Sequence, residues 1–173
     1  IDYDPVERLT TDAIGKPGNR VFYLQAVSGG ETITLLIEKP QVTSLALGIE
    51  KFLAEVESRF PHFPPASRDY VDDEMRIAPP VDPLFRVGEI SIMFDAERDM
   101  SGLVVKEIDL GQEQTDDQPL RTIRLWCTRS QLKAMAHWGL QVASQGRQIC
   151  PQCGEPMDPE GHFCPKKNGH KRN

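Results

Sequence analysis

The stretch Thr32-Ile33-Thr34-Leu35-Leu36-Ile37-Glu38-Lys39-Pro40-Gln41-Val42-Thr43-Ser44-Leu45-Ala46 changes period in its middle. Ile33, Leu35 and Ile37 alternate, as the inward side chains of a strand do. From Val42 the apolar residues Leu45, Ala46, Ile49, Leu53 and Val56 recur at helical spacing. Pro40 suits a first helical turn, where its missing N–H is not needed. A strand followed by an amphipathic helix over 41–59 is the result.

The same text returns 90 positions later. Ile33, Leu35 and Ile37 fall on Ile123, Leu125 and Cys127, and Val42, Leu45 and Ala46 fall on Leu132, Met135 and Ala136. Thr32 matches Thr122 and Gln41 matches Gln131. One register thus aligns two patterns of different period, which points to an internal duplication.

Working outward, Leu9 to Ile14 is a short apolar stretch, followed by the turn-forming Gly15-Lys16-Pro17-Gly18-Asn19. Arg20 to Val27 and Thr32 to Ile37 flank Ser28-Gly29-Gly30 and read as a hairpin. In the second half, Ile90, Ile92 and Phe94 alternate along 87–94, Asp95 to Asp99 turns, and Leu103 to Ile108 returns. Gly111 to Pro119 is an acidic loop. Leu120 to Cys127 is a strand, and a helix runs from about 129 to 144 with Gly146 after it.

The expected fold is α+β. Two β-β-β-α units, about 5–60 and 84–146, form mostly antiparallel sheet with two packed helices. They build a body over 1–146, with a zinc element and basic tail at 147–173. The connection 61–83 holds six prolines and the cluster Asp72-Asp73-Glu74. It reads as an extended surface connection and the place to expect disorder.

The chain has 173 residues, 39% apolar, enough to bury a core without disulfides. Its net charge of −6 repels phosphate backbones, so nucleic acid would need a local basic patch. No apolar run approaches the roughly 20 residues that span a bilayer, and Ile1 to Val6 lacks an apolar signal core. A cytoplasmic protein without a membrane partner is expected. In a reducing compartment, closely spaced cysteines mean metal more often than disulfide.

The tail reads Cys150-Pro151-Gln152-Cys153-Gly154-Glu155-Pro156, then Gly161-His162-Phe163-Cys164-Pro165, then Gly169-His170. Two cysteines separated by two residues can place both thiolates on one ion. The glycine after them permits a tight knuckle, and a second half-site completes a tetrahedron suited to a structural Zn²⁺. The fourth ligand is His162, in His-x-Cys spacing with Cys164, or His170. A redox role for Cys150 and Cys153 would want a helix start after a strand, whereas the motif follows a helix and is itself followed by Pro156 and Pro159. Lys166, Lys167, Lys171 and Arg172 form the one concentrated basic patch, able to contact nucleic acid or an acidic protein.

Elsewhere, Lys16 and Arg20 around two glycines, together with Arg86, are candidates for binding a phosphorylated or nucleotide-like ligand between the two units. Glu38, Lys39, Thr128 and Arg129 sit at strand-to-helix junctions, where capping is the default. Cys127 reads as a small buried apolar residue, His137 and Trp138 as packing residues, and His62 as exposed. No nucleophile elbow, metalloprotease helix or Ser-His-Asp set is legible. An adaptor is therefore preferred to an enzyme.

Residues 17–26 (Pro-Gly-Asn-Arg-Val-Phe-Tyr-Leu-Gln-Ala), 38–42, 85–88 and 150–169 together resemble the bacterial Domain of Unknown Function 3090 family over nearly the whole chain. Its tail is close to CPxCGEPxDPEGHxCPRxNGYRR. The resemblance implies Cys150, Cys153, His162 and Cys164 as ligands. It weakens His170, which stands where the family has tyrosine, and it implies no activity.

Overall fold

The computed structural model describes residues 1–111, 119–145 and 151–152. The strands are β1 (Asp2–Tyr3), β2 (Arg8–Ile14), β3 (Val21–Ser28), β4 (Glu31–Ile37), β5 (Val87–Asp95), β6 (Met100–Glu107) and β7 (Thr122–Cys127). Helix α1 (Lys39–Arg59) follows β4, α2 (Arg129–Ser144) follows β7, and a 3₁₀ turn (Asp72–Met75) interrupts the connection. The fold is α+β, with two helices and mostly antiparallel sheet. Three antiparallel strands and a helix occur in that order in each half.

One sheet is ordered β2-β3-β4 and the other β1-β7-β6-β5. Each receives a short parallel addition from the opposite half. Ile1–Tyr3 runs along β7, where the Arg124 N–H donates to the Ile1 carbonyl at 2.9 Å. Residues 84–86 run along β4, where the Leu36 N–H donates to the Phe85 carbonyl at 3.0 Å. The third helical residue repeats the exchange. Gln41 accepts from the Glu38 N–H and donates to the carbonyls of Val87 and Gly88 at 3.0 and 3.2 Å. Gln131 accepts from the Thr128 N–H and donates to the Val6 carbonyl at 3.0 Å. Thr128 caps α2 by accepting from the Gln131 N–H.

Period-two alternation sends Leu9, Leu24, Ala26, Ile33, Leu35 and Ile37 to one face of the first sheet, and Leu103, Val105, Ile123, Leu125 and Cys127 to one face of the second. The buried stripes of α1 (Val42, Leu45, Ala46, Ile49, Leu53, Val56) and α2 (Leu132, Met135, Ala136) close the core. The helices run antiparallel. Val42 lies near the start of α1 and meets Gly139 toward the end of α2.

Two expectations need correction. The proline-rich connection is held along its length and not left loose. Pro64 and Ala66 accept from Arg129 and Lys133 of α2, and the Tyr70 hydroxyl donates to Gln141. The chain then crosses the outer face of β2 and β3. Thr10 donates to the Met75 carbonyl at 2.6 Å, Asp12 accepts from the Ile77 N–H at 3.0 Å, and Gln25 bonds both backbone groups of Ala78 at 2.9 Å. Arg8 donates to the carbonyls of Glu74 and Arg76. Thr10, Asp12 and Gln25, buried on that face, each bond this backbone, so the segment is fixed.

The second correction concerns Arg129, which is not a cap. It is 5% exposed, forks onto Asp99 at 2.7 and 2.9 Å, and lies over the Phe63 ring.

Candidate binding groove

The buried stripe of α1 faces α2 and the first sheet. Its neighbouring stripe, Gln41, Ser44, Gly48, Lys51 and Glu55, turns toward β5 and is small at its middle, at Ser44 and Gly48. Gly48 has nothing within 4 Å of where a Cβ would stand. Helix and strand therefore do not close on each other, and an open groove of ≈ 640 Å³ separates them. Its floor is Leu45, Phe52, Ile90 and Ile92. Gln41 bridges helix and strand at one end. At the other, Phe94 meets Phe52 and Phe60 with ring centroids 5.9 and 5.5 Å apart.

Beside the floor runs the outer edge of the sheet, since β5 is its terminal strand. The hydrogen bonds of β7 and β6 fix which of its backbone groups point outward. Along a strand, successive residues point their N–H and C=O to opposite sides. Arg124 bonds toward β1, so Ile123, Leu125 and Cys127 bond to Val105, Leu103 and Ser101. The alternate β6 residues, Lys106, Val104 and Gly102, then bond to Glu89, Ser91 and Met93. Ile90, Ile92 and Phe94 are left with backbone groups aimed outward. Ile90 and Ile92, whose side chains line the groove, thus also offer an edge that is unpaired among the described residues.

The groove wall is nearly neutral. Glu55 is paired with Arg59 at 2.9 Å, and Gln41 and Ser44 are uncharged. Lys51 makes no ion pair among the described residues. A second, smaller dent of ≈ 260 Å³ lies between the helices beside Glu50, Glu57, Arg68, Lys133 and His137.

Of the three cations proposed from sequence, Arg20 and Arg86 have separate partners. Lys16 is exposed in the glycine turn, where Gly15 and Gly18 take positive φ. Arg20 donates to the Val142 carbonyl of α2 at 2.8 Å and stacks over Phe22. Arg86 pairs with Glu38 at 3.0 Å. Cys127 is fully buried, and burial alone pushes its thiol up to about 12, which makes it an unreactive packing residue. His137 and Trp138 pack against Tyr70, and His62 is exposed. Among the described residues no three His, Cys, Asp or Glu side chains gather to hold a metal, and no helix is long and apolar enough to cross a membrane. Cys150, Cys153, His162, Cys164, His170 and the basic residues Lys166, Lys167, Lys171 and Arg172 lie outside the described residues.

Among the described residues, the α+β body thus carries an open groove between a helix and a sheet edge. The chain belongs to the family described as protein of unknown function (DUF3090), whose model matches residues 1–164. No curated protein and no solved structure matches it.

Proposed function

We propose that this chain is a binding or adaptor protein. Its α+β body presents the α1/β5 groove, and its C-terminal element holds one structural zinc ion. The observation that carries the binding reading is the groove itself, with its apolar floor, its few polar rim groups and a strand edge that is free among the described residues. Cys150, Cys153, His162 and Cys164 would hold the metal as a closed tetrahedral set, and Lys166, Lys167, Lys171 and Arg172 would meet nucleic acid or an acidic protein. A tail with two half-sites and few apolar residues would take its fold from the ion, a contribution on the order of 10 kcal/mol at neutral pH.

The two halves are proposed to be copies of one unit. Supporting this are the shared 90-residue offset, the reciprocal additions onto β4 and β7, and the matching roles of Gln41 and Gln131.

Metal analysis of the purified chain is expected to give one equivalent of zinc, lost in Cys153→Ser. A metal-free, fully folded preparation would remove the zinc half of the proposal. For the adaptor half, thermal shift against nucleotides and sugar phosphates is expected to be flat, because bound ligand raises Tm with the logarithm of its concentration over Kd. A shift abolished by Arg20→Ala or Arg86→Ala would replace the adaptor with a phosphate-ligand protein. A gel-shift salt series with and without 166–173 tests the tail.

A further inference from the structure

The α1/β5 groove has a corresponding place in the other half, between α2 and β2. There the gap is closed. Trp138 stands on α2 where the 90-residue offset puts Gly48 on α1, and Tyr70 and Arg76 of the connection pack on its ring at 5.7 and 5.2 Å. The other ends of both sheets are completed by short extended segments, Ile1–Tyr3 on β7 and 84–86 on β4. Of the four sheet ends, β2 and β5 have no added strand among the described residues; the connection lies over the outer face of β2, and β5 has no such segment among the described residues.

We propose that this groove takes an extended, acidic-and-apolar peptide segment of a partner protein as an added strand on β5. This deepens the binding reading given above and rests on it. Backbone groups of Ile90, Ile92 and Phe94 supply the ladder. Every second peptide side chain then points to the face that carries Ile90 and Ile92 and enters the space left open at Gly48. Medium-sized apolar side chains fill it. The charge of the site selects among such peptides. Glu55 is held by Arg59, so the wall presents the ammonium of Lys51 without a partner among the described residues. A carboxylate on the peptide opposite α1 completes the pair, and a lysine there is repelled. A second copy of this chain fits less well. It would bring another Lys51, and the carboxylate of its β5, Glu89, lies on the opposite face and is engaged by Lys106 at 3.7 Å.

The probe is a pair of ten-residue peptides with blocked termini, valine alternating with threonine, in which one central valine is glutamate or lysine. They are titrated into the ¹⁵N-labelled full chain. The glutamate peptide is expected to move the amide signals of Ser44, Gly48, Ile90 and Ile92 and to slow exchange at Ile90, Ile92 and Phe94. The lysine peptide is expected to bind at least about tenfold more weakly. Gly48→Trp, which fills the groove as Trp138 fills its counterpart, abolishes binding while the Tm is retained. Lys51→Glu reverses the preference between the two peptides, which a purely structural lysine would not do.

Binding of neither peptide overturns the proposal, as does binding that leaves the β5 amides unprotected. Amides of β5 already protected in the free protein, with a doubled mass by light scattering, would overturn it in favour of a second copy. Zinc content and the 166–173 deletion are independent of this titration, so failure here removes the peptide site and leaves the adaptor reading to its own tests.

Discussion

The two sheets share an element order and differ in what lies on their outer faces. In the first, the row Thr10–Gln25–Thr34 is buried beneath the connection, and each of its side chains is hydrogen-bonded. In the second, the corresponding row Ser91–Val104–Arg124 has no such cover among the described residues, and Ser91 and Arg124 are exposed. The helices differ in the same sense, with Trp138 closing one gap and Gly48 leaving the other open. Among the described residues, the half that the connection does not reach keeps a free edge and a groove.

The buried row should be the most sensitive place. Gln25→Ala strips partners from both backbone groups of Ala78 and from Thr34, and should cost about 2–4 kcal/mol in urea unfolding. Ser91→Ala, in the open row, should change stability by less than about 0.5 kcal/mol. Equal costs would mean that the connection does not seal the first sheet.

A smaller contrast lies in two helical glycines. A Cβ on Gly139 would stand 2.5 Å from the buried Thr11 hydroxyl, so Gly139→Ala should destabilise by about 1–2 kcal/mol. Gly48 faces open space, and Gly48→Ala should stabilise by about 0.5–1 kcal/mol through helix propensity alone. Melting temperatures that move in opposite directions confirm the difference in closure, and a loss at both positions would refute it.

The smallest effect concerns Cys127, which stands where the first half has Ile37. Its thiol is raised from 9.0 to about 12 by burial. Above pH 9 the unfolded chain loses this proton and the folded chain keeps it, so stability falls as pH rises through that window. By pH 10 the loss should be about 1 kcal/mol. Cys127→Val should flatten this alkaline slope, and peptide mapping after iodoacetamide at pH 8 should find Cys127 unmodified in the folded protein. Rapid native labelling there would contradict its burial.

Local periodicity made most of the elements legible. The helix expected from residue 41 begins at Lys39, and the one expected over 129–144 spans Arg129–Ser144. The alternation of Ile90, Ile92 and Phe94 identified β5 and its inward face. It could not show that β5 ends a sheet, because edge position depends on which distant segments pair with which strand. The additions of 1–3 and 84–86 leave no periodic trace for the same reason. Arg129 looked like a junction residue because its partners, Asp99 and Pro64, lie far away in sequence. The connection reads correctly as extended surface chain, but its pinning is not legible, because proline content does not say what the chain covers. Of the groove, the sequence offered one clue, Gly48 set against Trp138 in the 90-residue offset, which acquires meaning only beside the folded helices.

Amide hydrogen exchange of the ligand-free chain tests the contrast most directly. Ile77 and Ala78, bonded to Asp12 and Gln25, should exchange slowly, while Ile90, Ile92 and Phe94 should exchange quickly from the open edge. Slow exchange at those three β5 residues, or fast exchange at Ile77 and Ala78, would contradict the claim that one sheet is sealed and the other left available.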